Sequence, residues 1–128
     1  MAAHILIVED HPASLELLQY LLQAAGYTTL QATDGGEAIN LLDAQRPDLV
    51  ICDMQLPEVS GYEVASHLKG NPALCRIPIV AVTAFSMVGD RDKVLSSGFD
   101  GYFSKPIEPE NFVAQMETFL PPALRSGR

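Results

Sequence analysis

The chain alternates between short apolar runs of strand length and longer stretches in which apolar residues recur at helical spacing. Three of the runs, 5–8, 49–52 and 79–82, are continuous and rich in branched side chains. Such runs are typical of parallel strands that helices cover on both faces. The run at 27–32 alternates apolar and polar residues, which predicts an edge strand, and 101–103 is a weaker fifth run.

The stretches between these runs predict five helices. Pro12 suits the first turn of a helix over 12–25, which Gly26 is placed to end. The spacing from Asp34 to Glu37 is that of a capping box and predicts the start of the second helix. The remaining helices are predicted over 61–69, 88–97 and 109–120.

Strand and helix therefore alternate five times within 128 residues. That leaves about 25 residues for each strand and its crossover helix, which is enough for both. The pattern predicts one α/β domain, a doubly wound (βα)5 fold with a five-stranded parallel sheet. We expect the domain to cover 1–120, and 121–128 to form a C-terminal tail or the start of a linker.

Composition narrows the class of protein. Apolar residues make up 48% of the chain and charged residues 19%, which is typical of a globular domain. No apolar run approaches the roughly 20 residues of a membrane span, and the N-terminus lacks the features of a signal peptide, so we expect a cytoplasmic protein. The net charge of −8 argues against binding to nucleic acid. Cys52 and Cys75 match no metal or redox spacing.

Polar side chains follow four of the five predicted strands at the point where each strand ends. Glu9 and Asp10 follow the first run, Asp53 the third, Thr83 the fourth and Lys105 the fifth. The carboxyl ends of parallel strands meet at one edge of the sheet, where open α/β sheets bind their ligands. Three carboxylates, a hydroxyl and an ammonium group are therefore expected in one crevice.

The chemistry of this set favours phosphoryl transfer. Three converging carboxylates repel one another unless they hold protons or a hard cation that prefers oxygen ligands, and Mg2+ is the cation expected here. Asp53 is then a carboxylate nucleophile that can form an acyl phosphate. Lys105 supplies a point charge and Thr83 a hydrogen bond to the phosphoryl oxygens. Each residue taken alone fits a helix cap, a turn or a solvated surface group, so the interpretation depends on their joint occurrence.

Four segments carry a resemblance to a known family. They are Ile5–Asp10, Asp53–Gly61, Val82–Ala84 and Ser104–Pro106. In these motifs the chain resembles the receiver domains of two-component response regulators, the chemotaxis-regulator-like fold, over nearly all of residues 4–120. The resemblance implies a flavodoxin-like sheet with strand order 2-1-3-4-5.

The resemblance also implies a role for each site residue. Asp53 would be the phosphoacceptor, with Thr83 and Lys105 contacting the phosphoryl group. Asp10 would bind Mg2+ directly and Glu9 through water, and Gln55 would contribute its backbone carbonyl to the metal. The family implies a cis bond between Lys105 and Pro106.

Tyr102 occupies the position of the switch aromatic in this family. Movement of Thr83 towards a phosphoryl group would let the Tyr102 ring turn and reshape the face around the last two helices.

Phe85 is expected near the mouth of the site, where it would slow the attack of water on the acyl phosphate. The implied partners are a sensor histidine kinase or histidine phosphotransfer protein, and a downstream protein effector. The resemblance also implies that this protein is a switch and not an enzyme that turns over a substrate.

Four other interpretations stay open on the sequence. A receiver domain cut from a larger multidomain regulator or hybrid kinase would show the same motifs. An aspartyl-nucleophile phosphohydrolase would require a second Asp two positions after Asp53, where Gln55 stands. A flavodoxin-like flavin binder would need a first loop rich in glycine and hydroxyl groups, which Glu9–Pro12 is not. A receiver-like adaptor would bind its partners without phosphorylation.

Overall fold

The computed structural model describes residues 3–54, 56, 59–83, 88–105 and 107–125, with the backbone alone for 88–91. The predictions for Gln55, Phe85 and Pro106 lie outside these residues. Within these residues, five strands and five α-helices alternate, followed by a short 3-10 helix. They are β1 (His4–Val8), α1 (Pro12–Ala24), β2 (Thr28–Ala32), α2 (Gly35–Gln45), β3 (Leu49–Asp53), α3 (Gly61–Gly70), β4 (Ile79–Thr83), α4 (Val88–Ser96), β5 (Gly101–Ser104), α5 (Pro109–Glu117) and the 3-10 helix Pro122–Leu124.

The strands form one parallel sheet in the order β2-β1-β3-β4-β5. This confirms the predicted fold, its strand order and the edge position of β2. The register pairs Val8 with Cys52, and Asp53 with Val82. The carboxyl ends of the central strands therefore lie level with one another, so that side chains placed there share one edge of the sheet.

Helices cover both faces of the sheet and enclose a separate apolar core on each side. On one face, Leu18 and Leu22 of α1 pack with Phe112 of α5 against the alternate side chains of the strands. On the opposite face, α2, α3 and α4 contribute buried residues such as Leu42, Leu68 and Val94. The continuous apolar runs of β1, β3 and β4 follow from burial on both sides.

Local signals set the ends of several helices. The side chain of Asp34 accepts a 2.7 Å hydrogen bond from the backbone N–H of Glu37. The Glu37 side chain in turn accepts one of 2.8 Å from the N–H of Thr33. Gly26 and Gly98, which follow α1 and α4, have φ angles of 98° and 104°, a conformation that favours glycine. These observations confirm the cap predicted at Asp34 and the helix stop predicted at Gly26.

The fifth helix ends earlier than the predicted residue 120. The Thr118 hydroxyl donates a 2.6 Å hydrogen bond to the Gln115 carbonyl, and the N–H of Phe119 bonds to Met116 at 3.0 Å. These bonds span three residues, so the helix tightens into a turn at its end. Beyond the turn, Leu124 packs against the core on the α1 and α5 face.

None of the helices in the described part of the chain has the length and apolar content needed to cross a bilayer. The longest of them, α1, has 13 residues, against the roughly 20 that a span requires.

Candidate functional site

The site lies at the carboxyl edge of the sheet, where the ends of four strands deliver polar side chains. Glu9 directly follows β1, and its backbone N–H still bonds to the carbonyl of Ala32 at 3.0 Å. Asp53 and Thr83 are the last residues of β3 and β4. Lys105 follows β5, and its N–H bonds to the Thr83 carbonyl at 2.8 Å. The sheet therefore fixes the backbone from which each group projects.

Three carboxylates converge at this edge, as the sequence predicts. Oxygen atoms of Glu9, Asp10 and Asp53 lie within 4.8 Å of one another. Glu9 is only 1% exposed and Asp53 5% exposed, whereas Asp10 is exposed to solvent. Glu9 is thus the most deeply buried acid of the three, although the resemblance implied contact with a metal only through water.

Lys105 compensates part of this negative charge. Its Nζ donates a 3.1 Å hydrogen bond to Asp53 Oδ2 and lies 3.0 Å from Glu9 Oε1. The second contact is an ion pair whose angles do not suit a hydrogen bond. Glu9 Oε1 is therefore a buried oxygen that accepts no hydrogen bond within the described residues. The other oxygen of Glu9 accepts a 3.2 Å bond from the N–H of His11.

Burial and like charge alter the acid–base behaviour of the pair. Burial, the largest cause, together with the hydrogen bonding and like charge of the neighbouring Asp53, raises the pKa of Glu9 to about 7, and Lys105 only partly offsets these effects. Burial lowers the pKa of Lys105, but its contacts with Glu9 and Asp53 outweigh that effect and raise it overall. Lys105 therefore carries its charge whenever the site is ionised.

The raised pKa of Glu9 predicts how the stability of the metal-free protein changes with pH. In the unfolded chain Glu9 loses its proton near 4.5, whereas in the folded protein it keeps the proton up to about 7. The folded state therefore binds more protons in this window, and the free energy of unfolding falls as pH rises through it. We expect a loss of roughly 1 to 3 kcal/mol in chelator, since one pKa unit corresponds to about 1.4 kcal/mol.

Urea unfolding of the wild type and of Glu9→Gln across this pH window measures the effect. The amide carries no titrating proton, so we expect Glu9→Gln to become the more stable protein above pH 7. A constant difference between the two proteins from pH 4 to 8 would contradict the prediction.

The donor set fits a hard divalent cation. All the candidate ligand atoms are carboxylate oxygens, the type that Mg2+ and similar ions prefer. Glu9 Oε1 is buried, accepts no hydrogen bond within the described residues and already lies 3.0 Å from the ammonium group of Lys105, an environment that favours positively charged partners. A cation between Glu9, Asp10 and Asp53 would also relieve the repulsion that raises the pKa of Glu9.

Thr83 and Tyr102 lie on adjacent strands and on the same face of the sheet. Tyr102 pairs with Ala81, two residues before Thr83, and alternate residues of a strand share a face. Thr83 is fully buried, while the half-buried Tyr102 packs against the core under α4. A movement of Thr83 would therefore take place close to Tyr102, on the same face of the sheet.

Gly61 holds the backbone of Asp53 against the start of α3, a role that the sequence analysis did not assign to it. A β-carbon at Gly61 would lie 2.9 Å from the Asp53 carbonyl oxygen and 3.1 Å from the Cα of Met54. Both contacts are with backbone, so neither can be relieved by turning a side chain. The position after the helix cap Ser60 was the available signal, because a small residue there allows close approach of the preceding strand.

Gly61→Ala is accordingly expected to lower the free energy of unfolding by about 1 to 2 kcal/mol through overpacking. Gly70→Ala is the matched control, since it lies at the other end of the same helix with open space around its β-carbon. We expect the control to be neutral or slightly stabilising. Equal stability of the two variants in urea unfolding would show that the contact with Asp53 is easily relieved.

Comparison with known proteins identifies the class. Residues 5–117 match the family described as "Response regulator receiver domain", and the chain belongs to this family. The polar-differentiation response regulator DivK of Brucella anthropi is 42% identical over 120 residues, covering 94% of this chain and 98% of that protein. Members of the family generally act as phosphoacceptor switches in two-component systems, together with histidine kinases and downstream effectors.

Solved structures agree with this assignment. The signal receiver domain of a histidine kinase from Syntrophus aciditrophicus is 37% identical, with a TM-score of 0.85 and coverage of 93% of this chain and 90% of that one. The receiver domain of a sensor histidine kinase from Pseudomonas aeruginosa is 28% identical, with a TM-score of 0.85. The match covers 93% of this chain and 98% of that one. That structure has a magnesium ion coordinated in the active-site cleft.

Proposed function

We propose that this receiver domain accepts a phosphoryl group on Asp53 from a histidine kinase or a histidine phosphotransfer protein. The observation that supports this most directly is the ion pair of Lys105 with Asp53 at 3.1 Å, next to the carboxylates of Glu9 and Asp10. It places a cation beside the carboxylate that would receive the negatively charged group. Asp53 is 5% exposed, so its reactive oxygen is reached only from the crevice.

Each residue would have a distinct part in the transfer. An oxygen of Asp53 attacks the phosphorus, the bond to the donor breaks, and the electron pair leaves with the donor. Lys105 would move from pairing with a carboxylate to pairing with the phosphoryl oxygens, whose negative charge it would neutralise. The Thr83 hydroxyl donates a hydrogen bond to the same group.

Mg2+ is the cofactor that fits the site. Glu9, Asp10 and Asp53 would hold it, with Gln55 as the further ligand that the family implies. When bound, the ion neutralises the carboxylates and the incoming phosphate. Asp53 is then relieved of the repulsion that its two neighbours impose in the metal-free protein.

The output of phosphorylation would be a change of the surface around α4, β5 and α5. Thr83, drawn towards the phosphoryl group, leaves space for the ring of Tyr102, its neighbour on the adjacent strand. The phosphoryl group would stabilise the arrangement in which Thr83 has moved towards it, and would so shift the population to that arrangement. The protein would therefore act as a cytoplasmic switch that binds a downstream protein effector, without catalysing turnover of a substrate.

Incubation with acetyl phosphate and Mg2+, followed by measurement of the intact mass, tests the proposal. We expect the gain of one phosphoryl group, and loss of that gain when a chelator is present. An unchanged mass with acetyl phosphate and with a phosphorylated histidine phosphotransfer protein would favour an adaptor that works without phosphorylation.

A further inference from the structure

A cavity of about 370 Å3 opens beside the phosphorylation site, on the face of the sheet covered by α1 and α5. One wall is the N-terminal half of α1, with Ser14, Leu17 and Leu18. Val82 and Ile107 supply apolar surface from the other elements. The volume and the mostly apolar lining are those of a site for a small molecule.

The cavity is continuous with the phosphorylation site because two residues line both. Lys105 and Glu9 form its polar end, and they are the same groups that face Asp53. A molecule whose phosphoryl group contacts Lys105 can therefore place the rest of its structure against Leu17 and Ile107. Among the described residues that line the cavity, Lys105 carries the positive charge and Glu9 the negative charge, so a phosphoryl group is favoured at Lys105 when the metal neutralises Glu9.

We infer that this cavity binds the acyl chain of a small acyl phosphate while Asp53 takes its phosphoryl group. The inference rests on the proposed function and adds a preference for donors with an apolar acyl group of several carbons. In the reaction an oxygen of Asp53 attacks the phosphorus and the bond from phosphorus to the acyl oxygen breaks. The electron pair leaves with the carboxylate of the released acid, so no further reactant is needed.

The apolar walls set the size of the preference. Each methylene group moved from water into an apolar cavity strengthens binding by about three- to fourfold. Butyryl phosphate has two more methylene groups than acetyl phosphate. We therefore expect its second-order rate constant for phosphorylation of the wild type to be about tenfold higher.

Two variants and a control test the location of the effect. Leu17→Ser and Ile107→Ser replace apolar side chains that line the cavity from α1 and from the segment after β5, and each is expected to bring the ratio of butyryl to acetyl rates close to one. Leu95→Ser is the control, since Leu95 is 36% exposed on α4, whereas the cavity lies on the face covered by α1 and α5. We expect the control to keep the tenfold ratio, and circular dichroism establishes that each variant is folded.

Binding without reaction gives an independent readout. Butylphosphonate, which cannot transfer a phosphoryl group, is expected to shift the methyl NMR signals of Leu17, Leu18, Val82 and Ile107 in the protein saturated with Mg2+. Equal rates with the two donors, or unchanged methyl signals, would overturn the inference while leaving phosphorylation by acetyl phosphate intact. Failure of acetyl phosphate itself would instead refute the proposed function.

Discussion

Asp53→Asn is expected to abolish phosphoryl uptake completely. An amide oxygen is a far weaker nucleophile than a carboxylate, and the acyl phosphate that the reaction forms requires the acid. Intact mass after incubation with acetyl phosphate and Mg2+ measures the loss. Because Asp53 also raises the pKa of Glu9, the variant should in addition lose part of its pH-dependent instability between pH 4.5 and 7.

Asp92→Asn is the matched control for this substitution. Asp92 lies exposed on α4 and contributes no group to the carboxyl edge of the sheet, so its variant should take up one phosphoryl group as the wild type does. Uptake by Asp53→Asn at the rate of the control would place the acceptor on another residue.

Lys105→Met is expected to lower the free energy of unfolding by about 2 kcal/mol in chelator at pH 8. The substitution keeps most of the volume but leaves Glu9 and Asp53, which are 1% and 5% exposed, without their shared cation. Removing one partner of a buried ion pair leaves the other charge uncompensated. The partial exposure of the Lys105 side chain, 25%, reduces the expected loss below that of a fully buried pair.

Titration with Mg2+ separates this electrostatic effect from a loss of packing. Without the competing ammonium group, the carboxylates should bind Mg2+ more tightly, and saturation with the ion should recover most of the lost stability. Arg76→Met, which removes an exposed cation from the loop before β4, should show neither change. Instability of Lys105→Met that Mg2+ leaves unaltered would point to packing instead.

The sheet and the position of the site could be predicted from the sequence because burial on both faces leaves a strong pattern. The runs at 5–8, 49–52 and 79–82 contain only residues suited to covered strands, and the polar residues come where these runs end. The strand order was implied by the family resemblance of the four motif segments, not by periodicity. The capping spacing at Asp34 also follows from local chemistry.

Features that depend on three-dimensional packing could not be predicted in this way. Glu9 and Asp10 are adjacent carboxylates, and only the direction in which β1 ends decides that Glu9 is buried and Asp10 exposed. The early end of α5 depends on the hydroxyl of Thr118, which the apolar spacing of the helix does not reveal. The cavity beside Lys105 joins residues from β4, α1 and the segment after β5, and no pattern in sequence links them.

The parallel topology makes the site a property of the whole chain. Its first carboxylate follows β1 and its cation follows β5, with Asp53 on the strand between α2 and α3. A chain that has been synthesised only as far as α4 lacks the lysine, and one that has lost its N-terminal segment through Asp10 lacks two acids. The proposed phosphoryl uptake would therefore require a polypeptide that is complete through Lys105 and natively folded, and incomplete or misfolded copies would not compete for donor.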